Sequence, residues 1–382
     1  MISYCNVRLA ALIFAALLIG GLTSCGGGSG GGGGSTPPAN GATPGNYMLQ
    51  SGSVSDIQVA TVSASGSLAA SVDSGGRAIN IGGYPSYGAD PSRKFFYSLD
   101  PSFTILRSFM ILGPGLQLQE TTVSPFFVAP SLGGLESLAI DPAGKFLYVV
   151  GDESAIQSFS IDSTTGALAA ASMVTEASTP DFRAVVMTPS GKFLYVNDLS
   201  FGRIFAYAIG SQGTLSAVAG SPFTLPDGEQ PTRIVLDSSG KYLYAPLYIG
   251  NGIAAFSIDA STGSLVSIPG SPFTTSETPD GVAAAGSFLY AVNYPDGPVD
   301  GFRVDPDTGA LATVPGSPFP TSQFAGFATA DATGQFFYVS DYTNSTIYGF
   351  TIDSGTGSLT AVAGSPFPSV AQPVLLGPLK IP

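Results

Sequence analysis

Hydrophobic residues recur along this chain in short runs that are separated by Gly, Pro, Asp, Ser and Thr. From residue 136 onwards, four such runs follow one another and read ESLAID, KFLYVV, AIQSFSID and ALAAASMV. Short apolar runs bounded by turn-forming residues are typical of β-strands. The chain also has 50 glycines and 30 prolines, which disfavour long helices and suit strands joined by tight turns. The pattern predicts an all-β protein.

The set of four runs repeats with a period near 48 residues. Five glycines mark the repeat at separations of 47, 49, 46 and 48 residues, namely Gly144, Gly191, Gly240, Gly286 and Gly334. A period of this size with several strands per unit indicates a β-propeller, in which each unit is one blade. Complete units begin near residues 136, 183, 232, 280 and 326, and a degenerate unit begins near Tyr84.

The two ends of the repeat region hold complementary fragments of one further unit. Residues 46–72 contain only the last three runs, and the missing first run stands after the last unit as QPVLLGPLKIP. Pairing the two fragments in one blade removes the exposed edges that a row of open sheets would have. The sequence therefore predicts a seven-bladed β-propeller over residues 46–382, with four-stranded blades and the C-terminal strand completing the N-terminal blade.

The third run of a unit has an Ile or Val, an aromatic residue three positions later and another Ile or Val two beyond, as in Ile204, Tyr207 and Ile209. Positions two apart share a strand face and positions three apart do not, so both faces are predicted to be buried between stacked blades. A Gly-Ser-Pro-Phe string after the fourth run, at 220, 270, 316 and 364, predicts the end of the outer strand and a Phe that fills the gap toward the next blade.

In four units an aspartate closes the third run and a Gly-x-Leu string opens the fourth. These aspartates are Asp162, Asp259, Asp305 and Asp353. Aspartate can accept hydrogen bonds from its own backbone and glycine can take a positive φ, so the pattern predicts hairpins. A calcium loop is the alternative, but each hairpin offers one carboxylate where Ca²⁺ takes several oxygen ligands. We predict turns here, and no metal or cofactor site.

The composition limits the chemistry. Hydrophobic residues make up 44% and charged residues 10% of the 382 positions, and the net charge is -13 without any basic cluster, which argues against a nucleic-acid partner. There is no histidine, so Ser-His-Asp and Cys-His nucleophiles and His metal ligation are excluded. Any catalysis must use carboxylates, Tyr, Lys or Arg.

The first 24 residues predict a signal peptide, because an apolar run after Arg8 is too short for a membrane span. The run ends in LTSC, which resembles the lipobox of bacterial lipoproteins, so Cys25 is the predicted lipidation site. The alternative is an ordinary secretory signal. Residues 25–45 are a Gly-rich tether, and Gly26 in place of Asp favours the outer membrane if the source is Gram-negative. Both cysteines, Cys5 and Cys25, precede the folded body.

The strings DPAGKFLYV and TPSGKFLYV, together with the third-run pattern and T-G-x-L, resemble the lactonase-type seven-bladed propellers. That group includes bacterial 6-phosphogluconolactonase and the muconate cycloisomerases, and the resemblance covers most of residues 46–382. It implies a propeller fold and the opening of a sugar-acid lactone.

The segment PDFRAVVMTPSGKFLYVNDLSFGRIFAYAI resembles the family segment in which paired histidines precede the strand and an NDLG-x-D/N-R string follows it. The histidine places fall on Asp181 and Arg183, while Asp198 and Arg203 match the string. In the next unit, Arg233 ends the string QPTR, where the family commonly has Gly-Pro-Arg-His. A proton-transferring His is thus replaced by an Arg that stays charged.

Two interpretations of these residues stay open. In one, Glu136 or Asp181 activates water while Arg183 or Arg233 stabilises an oxyanion, since first strands line the channel of a propeller. In the other, Glu136, Arg183 and Arg233 form a solvated ion-pair ring.

For the whole chain we predict a lipid-anchored, extracytoplasmic, monomeric propeller that binds or scaffolds at the cell envelope. Its partners would be the membrane and an envelope protein, a glycan or a small lactone. The alternative is a lactone hydrolase.

Overall fold

The structure is a computed structural model, and the part of the chain it describes is residues 45–52, 57–70, 86–100, 104–112, 117–225, 229–295, 297–321, 325–369 and 373–381. The predictions of a signal peptide, a lipidated Cys25 and a Gly-rich tether fall on residues that lie outside these ranges. Within them, no helix has both the length and the apolar character needed to cross a membrane.

The strands form seven separate antiparallel sheets, which confirms the predicted seven-bladed β-propeller. Blade 1 contains β1 (Gly45–Gly52), β2 (Ile57–Val62), β3 (Leu68–Ala70) and β32 (Pro373–Ile381). Blade 2 contains β4 (Tyr87–Ala89), β5 (Phe95–Asp100), β6 (Ile105–Leu112), β7 (Gln117–Glu120) and β8 (Phe126–Phe127). Blade 3 contains β9 (Leu135–Ile140), β10 (Phe146–Gly151), β11 (Ala155–Ile161) and β12 (Leu168–Thr175).

The remaining blades repeat this order. Blade 4 contains β13 (Phe182–Met187), β14 (Phe193–Asp198), β15 (Arg203–Ile209), β16 (Leu215–Ala217) and β17 (Phe223–Thr224). Blade 5 contains β18 (Val235–Leu236), β19 (Tyr242–Leu247), β20 (Gly252–Ile258), β21 (Leu265–Ser267) and β22 (Phe273–Thr274). Blade 6 contains β23 (Pro279–Ala285), β24 (Phe288–Asn293), β25 (Val299–Val304) and β26 (Leu311–Thr313). Blade 7 contains β27 (Ala325–Ala330), β28 (Phe336–Asp341), β29 (Thr346–Ile352), β30 (Leu359–Ala361) and β31 (Phe367–Pro368). A one-turn 3-10 helix, Pro130–Leu132, precedes β9.

The first strands of successive blades lie side by side around the centre, in the order β4, β9, β13, β18, β23, β27 and β32. In blade 1 the C-terminal strand β32 takes the first place and pairs with β1, with Leu379 opposite Tyr47. The predicted closure of the ring by the two ends of the repeat region is therefore confirmed. In the blade formed by the degenerate unit, Leu106 and Phe109 of β6 are buried in the core.

The apolar core lies between neighbouring blades. Phe193 and Tyr195 of blade 4 share one cluster with Phe256 of blade 5. Met48 of blade 1 shares another with Tyr338 of blade 7, which closes the ring on the far side. The sheet of a blade is thus buried on both faces by its two neighbouring blades, as the third-run pattern predicts.

The hairpins between third and fourth strands share one shape in most blades, and this shape brings neighbouring blades into contact. Gly263 has φ +78°, and a Cβ on it would lie 2.4 Å from the ring of Phe193 in the preceding blade. Its carbonyl accepts a hydrogen bond from the Tyr195 hydroxyl at 2.9 Å. Only glycine combines the positive φ with this close approach, which explains the recurring Gly-x-Leu string. The same approach joins Gly66 to Phe336, Gly166 to Phe95, Gly213 to Phe146, Gly309 to Tyr242 and Gly357 to Phe288.

The corresponding tyrosine bonds run from Tyr97 to Gly166, Tyr244 to Gly309, Tyr290 to Gly357 and Tyr338 to Gly66. Tyr148 differs, because its buried hydroxyl has no hydrogen-bond partner in the described part of the chain. The hairpin that faces it closes over three residues, from Gly213 to Gly210, as the Gly66 hairpin does onto Ser63, whereas the other four close over four residues.

The aspartates of the hairpins form the predicted turns. Asp259 Oδ1 accepts the backbone N–H groups of Ser261 and Thr262 at 2.9 and 2.8 Å. Hydrogen bonds from the Ser261 hydroxyl and from these amides lower the pKa of Asp259 to about 2. Across the ranges that the structure describes, no three Asp, Glu, Cys or His side chains are grouped as metal ligands.

Candidate functional site

β-Bulges interrupt several first strands close to their starts, at one end of the central channel. In β9, Leu135 faces Gly151 and Ser137 faces Val150, so Glu136 is the extra residue. The same shift makes Asp280 the extra residue of β23 and Gly326 that of β27, and in β13 Arg183 and Ala184 together stand opposite Asn197. A bulge turns its extra residue out of the regular alternation. Glu136, Arg183 and Asp280 therefore present side chains at the channel mouth that a regular strand would place elsewhere, while Gly326 has none.

Glu136, Asp181 and Arg183 meet at this mouth, with Glu136 on β9, Arg183 on β13 and Asp181 directly before β13. Arg183 Nη1 donates to Glu136 Oε1 at 2.9 Å, and Arg183 Nη2 donates to Asp181 Oδ2 at 2.8 Å. Arg183 Nε lies 2.8 Å from Asp181 Oδ1. The three side chains are about one-fifth exposed, at 19%, 22% and 21% respectively. We call these three residues the channel triad.

The pKa values of Asp181 and Arg183 are both raised in the channel triad, for different reasons. Burial raises the pKa of Asp181, and it outweighs the opposing effect of the Arg183 hydrogen bond and charge, while Asp152 and Asp198 raise it further. Burial alone would lower the pKa of Arg183, but Glu136, Asp181 and Asp152 outweigh it and raise that pKa. Arg183 therefore stays charged, and Asp181 keeps its proton to higher pH than an exposed aspartate.

Asp198 and Arg203 pair with each other at the turn between β14 and β15. Arg203 Nε and Nη2 donate to Asp198 Oδ2 at 2.8 and 2.6 Å, and Asp198 is fully buried. The guanidinium also stacks between the rings of Phe201 and Phe205, at 4.7 and 5.2 Å from their centroids. Asp198 Oδ1 accepts the backbone N–H of Asp181 at 3.0 Å. The pair thus fixes the turn between β14 and β15, and Asp198 also fixes the backbone at Asp181, but neither residue bonds to the side chains of the triad.

Arg233 lies apart from the triad. Its guanidinium sits over the ring of Phe327, 4.5 Å from the centroid. Arg233 precedes β18 in blade 5 and Phe327 lies on β27 in blade 7, so the contact passes the first strand of blade 6. A cation–π contact of this kind stabilises the charged side chain in place.

The structure adds residues that sequence reasoning does not single out. Asp280 is the bulge residue of blade 6, and its carbonyl accepts a hydrogen bond from Thr232 Oγ1 at 2.9 Å. Asp152 acts electrostatically on both Asp181 and Arg183. The sequence signal for Asp152 is that a carboxylate stands two positions after the second run KFLYVV. Asp280 has no comparable signal, because its place depends on the register of strand pairing.

The arrangement has the elements of carboxylate-based acyl transfer. Two carboxyl groups in unlike environments can divide the roles of base and acid. A fixed guanidinium can stabilise negative charge on a carbonyl oxygen.

Comparison with known proteins agrees with this architecture. A family model described as lactonase, 7-bladed β-propeller, matches residues 175–374. No curated protein sequence is significantly similar to the chain.

Solved structures resemble the chain over nearly its whole folded part. A Bacteroides uniformis protein given the provisional name 6-phosphogluconolactonase has a TM-score of 0.73 and 18% identity, covering 87% of this chain and 99% of its own. A Bacteroides fragilis protein with the same provisional name has a TM-score of 0.71 and 20% identity, covering 88% of this chain and 98% of its own. The periplasmic gluconolactonase of Pseudomonas aeruginosa has a TM-score of 0.69 and 18% identity, covering 88% and 100%. At these identities the likeness concerns the fold.

Proposed function

Since the chain belongs to the lactonase family of seven-bladed β-propellers, we propose that it hydrolyses a small lactone at the mouth of its central channel. The observation that carries the proposal is the channel triad, in which Arg183 contacts Glu136 and Asp181 at 2.8 to 2.9 Å. Burial raises the pKa of Asp181.

In this mechanism Glu136 takes a proton from a water molecule, and the water oxygen forms a bond to the lactone carbonyl carbon. The N–H groups of Arg183 that do not bond to the carboxylates stabilise the negative charge on the carbonyl oxygen. The ring C–O bond then breaks, and Asp181 donates its proton to the departing oxygen. The product is the open hydroxy acid. Burial raises the pKa of Asp181, which is the direction that favours a proton donor.

The charge around Arg183 favours an uncharged substrate. The carboxylates of Glu136 and Asp152 act on this single guanidinium, so its positive charge is compensated even when Asp181 carries the proton that it donates. A phosphate on the substrate would meet net negative charge here and be repelled. We therefore propose an unphosphorylated sugar-acid lactone, and expect a higher kcat/KM for gluconolactone than for its 6-phosphate.

A pH-stat assay with a panel of aldonolactones tests the function. We expect Glu136→Gln and Arg183→Lys to lower kcat by about 100-fold or more, as loss of a base or an oxyanion donor does. Glu120→Gln is the matched control, because Glu120 also accepts a hydrogen bond from an arginine, Arg107, at 3.0 Å but lies on the outer strand β7. Acid release that never exceeds the rate in buffer, for any lactone, would refute hydrolysis.

Binding without turnover is the second candidate. It is favoured by the observation that both carboxyl groups hydrogen-bond to Arg183, so the guanidinium already has partners within the protein. Such a protein would bind or scaffold at the cell envelope, with a lactone, a glycan or an envelope protein as its partner. Calorimetric binding of gluconolactone or gluconate, abolished by Arg183→Ala and unaccompanied by acid release, would support this function over the first.

We also propose that the protein is exported and anchored at Cys25 as a monomer. The support is the apolar run that ends in LTSC before a Gly-rich tether. Metabolic labelling with an alkyne fatty acid is expected to mark the wild type and Cys5→Ser but not Cys25→Ser. Equal labelling of all three, or of none, would rule out this anchor.

A further inference from the structure

We infer that Asn197 is a positioning residue for the channel triad, holding both the bulge that carries Arg183 and the loop that carries Arg233. Asn197 lies on β14, outside the channel triad, and opens the NDL string that Asp198 continues. The inference rests on the proposed function, because the geometry that Asn197 maintains matters when Arg183 acts on a ligand.

Asn197 faces the bulge in β13. Phe182 faces Asp198 and Val185 faces Val196, so two residues of β13 stand opposite Asn197 alone. The backbone N–H of Ala184 loses its place in the ladder at this point. Asn197 Oδ1 accepts that N–H at 2.7 Å. The amide therefore replaces the missing ladder bond and fixes the backbone directly after Arg183.

Asn197 also contacts the neighbouring blade. Asn197 Nδ2 donates to the carbonyl of Pro231 at 2.6 Å. Pro231 stands two residues before Arg233 and pairs with Leu247 as an isolated bridge at the start of blade 5. One side chain thus connects the first strands of blades 4 and 5, close to both candidate arginines.

Burial makes this connection rigid. Asn197 is fully buried, and a buried amide without partners is strongly unfavourable, so its two bonds restrict the side chain to one orientation. The equivalent place next to the bulge is held by Val150 in blade 3, Val292 in blade 6 and Ser340 in blade 7. An amide stands at this place in blade 4, where the bulge residue is the arginine of the channel triad.

The test compares kinetics with backbone protection. In Asn197→Ala we expect kcat on the best lactone to fall about 100-fold, the effect of an active-site group displaced by about 1 Å. We expect KM to change much less, because Arg183 acts mainly on the transition state. Amide hydrogen exchange is expected to show faster exchange at Ala184 in the folded variant.

Two further variants make the result interpretable. Asn197→Asp keeps an acceptor for the Ala184 N–H but loses the donor to Pro231, so we expect retained Ala184 protection and an intermediate kcat. Asn293→Ala is the matched control, because Asn293 is equally buried near the end of a second strand but its Nδ2 bonds to Pro298 and Asp300 in its own blade and to Ser276 in the connection that leads into it. We expect that control to lose stability without loss of kcat.

The outcomes separate this inference from the proposed function. If the wild type is active and folded Asn197→Ala keeps its kcat and its Ala184 protection, Asn197 is not a positioning residue and the proposed function stands. If kcat falls equally in Asn197→Ala and Asn293→Ala, the effect is general destabilisation and the inference is wrong. If the wild type opens no lactone, the proposed function fails, and with it the catalytic meaning of Asn197.

Discussion

The hydroxyl of Tyr338 donates a hydrogen bond of 2.7 Å to the carbonyl of Gly66, although 272 positions separate the two residues in the chain. The bond joins the last blade to the first. It belongs to the set of tyrosine bonds that connects successive blades, and at this point it also closes the circle.

Tyr338→Phe is expected to lower the free energy of unfolding by about 1 kcal/mol, because a buried hydrogen bond is lost and the Gly66 carbonyl is left without it. Tyr148→Phe is the control, since the Tyr148 hydroxyl is buried and has no hydrogen-bond partner within the described residues. That substitution should be neutral or stabilising. Urea unfolding followed by circular dichroism measures both, and equal losses would contradict the assigned role of the tyrosine bonds.

Gly263→Ala is expected to cost about 3 kcal/mol, the sum of strain at positive φ and a Cβ forced against the ring of Phe193. Gly286→Ala shares the positive φ, at +58°, but a Cβ there meets nothing within 4 Å. It should cost about 1–2 kcal/mol. Thermal unfolding of the two variants gives the difference, which should shrink when Phe193→Leu is combined with Gly263→Ala.

The pH dependence of stability should carry the signature of Asp181. Burial raises the pKa of this carboxyl above its ordinary value of 3.8, so the native state binds protons more tightly than the unfolded chain. The stability of the wild type relative to Asp181→Asn is therefore greatest below that value and is lost as pH rises through the folded-state pKa.

Asp259→Asn provides a comparison of opposite sign. The pKa of Asp259 is lowered to about 2, so its contribution is present above pH 3.8 and is lost as pH falls toward about 2. Denaturant titrations at a series of pH values measure both differences. Curves that slope the same way for the two variants would show that the environment assigned to Asp181 is incorrect.

Arg203→Leu should reduce stability and leave the chemistry intact. It removes the partner of the fully buried Asp198, at an expected cost of about 2–3 kcal/mol, although the backbone donors of Asp198 remain. The kcat of the folded variant should match that of the wild type. A fall in kcat at unchanged stability would instead place Arg203 in the catalytic machinery.

Sequence reasoning predicts the fold well because each blade repeats the same local rules. Gly144, Gly191 and Gly240 set the period, and the fragments at the two ends require a shared blade. Each of these signals is contained in residues close together in the chain, or in a strand that visibly lacks a partner.

The candidate site is less predictable, because its geometry depends on register and on distance across the ring. Asp198 and Arg203 match a family string, yet they turn toward each other across a tight turn. The contact of Arg233 with Phe327 joins blades 5 and 7, and no local pattern encodes it. The bulges that expose Glu136 and Arg183 appear only once the strands are paired.

The composition of blade 1 from β1–β3 and β32 also sets an order of events during synthesis. Blades 2 to 7 can each pair their strands as they leave the ribosome, but blade 1 waits for a strand translated more than 300 residues after its first three. Until β32 arrives, the inner edge of β1 and the side of blade 7 that packs against blade 1 stay open. The incomplete chain is therefore open between blades 7 and 1, and the ring closes only when β32 pairs with β1.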